Sequence, residues 1–159
     1  MHWLDERISP IWRFDHADIE LTYQPVELEG GPNPEMVRFN VECMIPHSTN
    51  GRITYEADDL DFFPRWFFEF ADQLKEVLDG VGEEAVLSPP GRELALTIRR
   101  VKREFQMQIS VNEFKVMRSP TTISATGSVA IDVAYRWARE LKEEYAQRLN
   151  EWILEQTAG

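Results

Sequence analysis

The sequence predicts an α+β fold, an antiparallel sheet with two main helices in the order strands, helix, strands, helix. Stretches of strict apolar/polar alternation fill much of residues 11–57 and return after residue 93. Two longer stretches, opening at Asp61 and Asp132, instead carry apolar residues at spacings of three and four. Turn-forming clusters rich in Gly, Pro and Asn separate the alternating stretches, as antiparallel strands require.

IWRF, Ile11 to Phe14, predicts a short strand. DIELTYQ places Ile19, Leu21 and Tyr23 on one face. MVRFNVECMI sets Val37, Phe39, Val41, Cys43 and Ile45 on one side and Arg38, Asn40 and Glu42 on the other. GRITYEA repeats the pattern with Ile53, Tyr55 and Ala57. A period of two marks half-buried antiparallel strands. GGPNP (Gly30 to Pro34) and PHSTNG (Pro46 to Gly51) reverse the chain between them.

The first helix follows, with Asp61 as N-cap, Pro64 tolerated in the first turn and Gly80 at the end. Phe63, Phe67, Phe70, Leu74 and Val77 form its apolar stripe, widened by Ala71 and Leu78. Beyond SPPG (Ser88 to Gly91), ELALTIRRV alternates through Leu94, Leu96 and Ile98. EFQMQISV does so through Phe105, Met107, Ile109 and Val111. The bases between them mark a hairpin. Phe114 and Val116 extend a strand, and TTISATGSVAI predicts a further one ending at Ile131. Asp132 then caps a helix over about 133–156. Its stripe runs Trp137, Leu141, Tyr145, Leu149 and Ile153, broadened by Ala134, Ala138 and Trp152. No internal repeat or linker is visible, so residues 1–159 read as one α+β domain.

Composition narrows the function. The net charge of −11 argues against general nucleic-acid binding, which needs clustered Lys and Arg. The acidic excess lies in the first half of the chain. The basic cluster Arg99, Arg100, Lys102 and Arg103 reads as a solvated hairpin turn. The single cysteine, Cys43, excludes an internal disulfide and sits where a small hydrophobe is expected. The chain has no run of 18 apolar residues, and MHWLDERISP carries acids where a secretory signal needs bases. A cytoplasmic location is expected.

Catalytic signatures are sparse. His2, His16 and His47 fall in no metal-binding spacing, and neither a G-x-S-x-G nor a phosphate-cradling glycine motif occurs. DHAD could gather Asp15, His16 and Asp18 around an ion, although such a trio arises readily by chance. Glu69 and Asp72, set among aromatics, read most simply as helix polar-face residues. The expectation is a non-enzymatic protein with no cofactor and no metal. A small enzyme with a carboxylate/His site around Asp15, His16 and Asp18 is the third-ranked alternative.

The segment DDLDFFPRWFFEF, Asp58 to Phe70, combines acids with six aromatics. One helical stripe accommodates Phe63, Phe67, Phe70 and Leu74. Phe62, Trp66 and Phe68 do not all fit it, and aromatics beside acids are the composition of a binding patch. The candidate partner-binding set is therefore Asp58, Asp59, Asp61, Phe62, Trp66 and Phe68, with burial inside the protein as the competing reading.

Residues 51–149 resemble the WapI-type family of small bacterial immunity proteins and related uncharacterised bacterial domains. The resemblance rests on GRITYEADDL leading into a helix with Trp66, Phe70 and Leu74, on VLSPPGRELALTI, and on Asp132 opening the amphipathic WARELKEEY. It implies a non-enzymatic protein that binds and neutralises a cognate toxin. An acidic binder suits a basic toxin domain, since complementary potential speeds and orients association. A homo-oligomeric interaction or scaffolding module, using the aromatic run or the last helix, is the second reading.

Overall fold

The computed structural model describes residues 10–16, 19–28, 36–47, 51–88, 94–113 and 121–158. Eight strands form two antiparallel four-stranded sheets. The first contains β1 (Trp12–His16), β2 (Ile19–Leu28), β3 (Val37–His47) and β4 (Gly51–Phe62), in that spatial order. The second contains β5 (Glu84–Leu87), β6 (Leu94–Val101), β7 (Glu104–Glu113) and β8 (Thr121–Val129), again in chain order. Helix α1 (Pro64–Leu78) follows the first sheet. After the second come α2 (Ile131–Glu140), a π-helical turn (Leu141–Tyr145) and α3 (Ala146–Ala158). The architecture is α+β, as the alternation and helical spacings predict. The element order ββββα occurs twice, a repetition that the residues themselves do not display.

Contacts divide the chain into two compact units. One comprises Met1–Arg65 with Glu140–Gly159, the other Trp66–Arg139. The helices are thus exchanged: α3 belongs with the first sheet, and α1 from Trp66 onward belongs with the second.

Within the first unit, the inward residues of the alternating strands make the core. Phe14, Leu21, Tyr23, Val37, Phe39, Cys43 and Phe62 have no exposed surface. Tyr23 meets Phe14 and Phe62 edge-on, at centroid distances of 6.1 and 5.6 Å, and Phe39 meets Phe62 likewise at 5.6 Å. Such T-shaped contacts pair the positive edge of one ring with the negative face of the next. Tyr145 seals this core, lying 5.4 Å from Trp12 and donating its hydroxyl to the Pro10 carbonyl at 3.1 Å. The π turn explains how the last helical segment keeps its apolar residues together. Steps of i+4 drift by about 40° each on an ideal α-helix. The wider turn, closed by the Ala146 N–H on the Leu141 carbonyl, takes up that drift, so that Leu141, Tyr145, Leu149 and Trp152 are all buried.

β4 departs from expectation. The predicted helix start at Asp61 lies inside the strand, and the helix begins at Pro64. The register explains this: Phe39 pairs with Leu60 but Val41 with Ala57, so β4 carries one extra residue, a β-bulge at Asp58–Asp59. The bulge inverts the alternation. Odd-numbered residues face inward up to Ala57, and Leu60 and Phe62 face inward afterwards. Val26 supplies a similar extra residue in β2, where the register shifts between Pro25 and Glu27.

In the second unit, Leu94, Leu96, Ile98, Phe105, Met107 and Ile109 alternate inward as predicted. β5, only four residues long, adds a strand that the sequence pattern does not predict. α1 buries Phe67, Phe70, Ala71, Leu74, Val77 and Leu78. Phe63, assigned to that stripe, instead precedes the helix, half-buried under the Arg65 guanidinium at 4.5 Å. The helix closes on Gly80, whose φ of 87° lets the Val81 and Gly82 N–H groups reach back to the Glu76 carbonyl. Asp132 is a first-turn residue of α2, where its charge favours the helix N-terminus, and not the cap. Val111, Phe114, Val116 and the first five residues of β8 lie outside the described side chains.

Candidate functional site

The predicted patch separates when its residues are placed. Phe62 is entirely buried between Tyr23 and Phe39 and is not available to a partner. Asp61 faces outward, with its Oδ1 3.7 Å from Arg38 Nε, and Arg38 also reaches Glu27 at 2.9 Å. Asp58 is exposed on the outer face of the first sheet, and the side chain of Asp59 lies outside the described ones. Trp66 and Phe68 are half-buried on α1, in the second unit. Of the six aromatics Phe62, Phe67 and Phe70 are therefore core and the other three half-buried, while among the acids with described side chains Asp58 is exposed and Asp61 half-buried.

The outer face of the first sheet extends that chemistry. Register places Arg13, Thr22, Glu42 and Glu56 in one row across all four strands. Together with Glu20, Gln24, Asn40 and Asp58 they line a shallow depression of about 380 Å³. Arg13 pairs with Glu20, 3.3 Å away on the diagonal. Glu42 and Glu56 stand directly opposite each other, both exposed, and neither they nor Asp58 form an ion pair among the described residues. Like charges facing across adjacent strands destabilise a sheet. A fold that keeps such a pair beside a third carboxylate concentrates negative potential there at a cost to its own stability. Alternation alone had put Glu42 outward. Only the register shows that Glu56 is its neighbour.

Asp15 is exposed on β1 and His16 is half-buried beside it, and Asp18 lies outside the described residues. Among the described residues no group of three His, Cys, Asp or Glu is placed to hold a metal. In the basic hairpin, Arg99 reaches Glu84 at 3.7 Å and Gln108 at 3.4 Å, and Arg100 donates to the Gly82 carbonyl at 3.2 Å. The adjoining glycine loop spends its N–H groups on the end of α1, so it offers no phosphate cradle. No helix among the described residues is long and apolar enough to cross a membrane.

Cys43 is fully buried, and burial pushes its thiol from 9.0 up to about 12, which makes it inert as a nucleophile near neutrality. Burial also raises the Tyr23 and Tyr145 hydroxyls above 10.0. The native state holds these protons while the unfolded chain releases them. Stability is therefore intact below about pH 9 and falls as pH climbs through the folded values. Denaturant titrations between pH 8 and 11 should show ΔG declining, with the Cys43→Ala variant declining less by about 1.4 kcal/mol per pH unit above the thiol's unfolded pKa. Equal slopes for the two proteins would mean that the thiol is not held neutral by the fold.

No family model and no curated protein matches the chain. Crystal structures of Trypanosoma bruciei MRP1/MRP2 align with a TM-score of 0.49 and 13% identity over 94% of this chain and 91% of that one, a likeness that carries no argument about the site.

Proposed function

We propose that this chain is a non-enzymatic acidic binding protein of immunity type, which neutralises a basic toxin domain by occluding it. The observation that carries the reading is the cross-strand pair Glu42 and Glu56 with Asp58 on the same exposed sheet face. Carboxylates held on a rigid, pre-formed surface attract a basic partner at long range and fix its orientation with little ordering cost. In this arrangement Asp58 belongs to the sheet-face patch, and Trp66 and Phe68 are supporting residues of α1.

The test exploits two effects of opposite sign. Glu42→Lys removes the repulsion with Glu56 and should stabilise the fold by roughly 0.2–1 kcal/mol. The same change should abolish protection when the protein is co-expressed with a toxic basic domain recovered by affinity purification, and should weaken the salt dependence of their association. A Glu42→Lys, Glu56→Lys, Asp58→Lys variant that folds and still protects would remove this surface from the interface.

A further inference from the structure

Each sheet has two edge strands, and an unguarded edge invites pairing with another chain. Three of the four are guarded. β1 is five residues long and carries Arg13, Asp15 and His16. β4 is long but bent by its bulge and charged at Arg52, Glu56, Asp58, Asp59 and Asp61. β5 is four residues long, and its Val86 N–H is taken by the Gln73 side chain of α1 at 3.2 Å.

β8 has none of these devices. Its nine residues, TTISATGSV, include no charge and no proline. Its pairing with β7 runs from Phe105–Val129 to Glu113–Thr121 without a register break. Alternate residues of an edge strand direct N–H and C=O groups away from the neighbouring strand. Among the described residues, no hydrogen bond from any element other than β7 reaches those of β8. Thr126 and Ser128 are exposed on it.

We propose that β8 is a self-association edge, and that a second copy of this chain pairs its own β8 antiparallel to it, joining two four-stranded sheets into one of eight strands. Charge selects this occupant. A chain of net charge −11 repels its own copy over most of its surface, and the β4 edge would bring acid against acid. β8 is the long edge at which two copies meet with no charge between them. An antiparallel strand pair about a two-fold axis is also self-complementary, since each strand presents the other with the same donors and acceptors. Full overlap centres the axis on Ala125 and sets Thr121 of one copy opposite Val129 of the other.

Sedimentation equilibrium across the micromolar range should give a mass of twice 18.6 kDa, and the dimer should hold or strengthen as salt rises, because no ion pair holds the contact and salt screens the repulsion between the two acidic copies. Thr126→Lys and, separately, Ser128→Lys place an edge-guarding cation on β8 and should yield monomers with unchanged far-UV circular dichroism. Should both variants misfold, amide hydrogen exchange of the wild-type chain decides: protection of 121–129 amides should rise with protein concentration. A wild-type monomer throughout the range, a dimer that survives both lysine variants in folded protein, or β8 exchange independent of concentration would each overturn the proposal.

Discussion

Truncation of the chain after Glu140 is expected to abolish folding of the first unit, although every one of its strands remains. The shortened chain retains β1 to β4 but lacks Leu141, Tyr145, Leu149 and Trp152, all of them buried. It also lacks the Tyr145 hydroxyl that satisfies the Pro10 carbonyl and the ring that packs on Trp12. Burying each such side chain is worth about 1.5–3 kcal/mol, so four of them together approach the whole stability of an ordinary domain, about 5–15 kcal/mol. A sheet with one face stripped of its helix also presents a contiguous apolar surface to water. Near-UV circular dichroism should show loss of the tyrosine and tryptophan signal, and limited proteolysis should cut first within residues 10–62. A truncated chain that melts cooperatively with an intact first sheet would show that α3 is dispensable and that the exchange of helices carries no energetic weight. Tyr145→Phe is a milder probe of the same contact. It keeps the ring and removes only the buried hydrogen bond, at a cost of about 1–3 kcal/mol for the carbonyl left unsatisfied.

That dependence between chain-distant segments is what the sequence could not express. Alternation reports which side of a strand is apolar, and for β2, β3, β6 and β7 it placed the inward residues whose side chains are described correctly, because each has one wet face. It says nothing about which helix will cover that side. The i+4 run was visible, and the π turn keeps its members Leu141, Tyr145 and Leu149 buried together where a regular α-helix would carry them progressively off one face, but the next inward place falls to Trp152 and leaves Ile153 half-buried. The misplaced helix start has a similarly local cause. Asp58 and Asp59 break the alternation, and an aspartate ahead of an aromatic run looks like a cap. Here the pair is a bulge, which turns the following residues over and extends the strand to Phe62. β5 was missed because four residues are too few to establish a period. The acidic face was half legible. Outward positions such as Glu42 and Glu56 follow from alternation in each strand, but their adjacency exists only once β3 and β4 are in register.

Phe62→Ala should cost about 3–5 kcal/mol, the most damaging single substitution in the run from Asp58 to Phe70 outside the buried stripe of α1. Its ring has no exposed surface and stands edge-on to both Tyr23 and Phe39, so truncation leaves a cavity that two aromatic neighbours and a paired strand cannot readily close. Phe68→Ala removes a half-buried ring and should cost distinctly less. Asp58→Lys touches no buried atom and should leave stability within about 0.5 kcal/mol while disturbing the acidic face. Chemical denaturation of the three variants therefore sorts the segment by packing, core at Phe62, partial support at Phe68 and exposed surface at Asp58. The informative reversal would be a Phe62→Ala protein as stable as wild type. Phe62 would then not be part of the core, and the aromatic run would return as a candidate docking surface. With the expected order, the aromatics are explained by packing, and the proposed binding surface is left to Glu42, Glu56 and Asp58, which make no ion pair among the described residues.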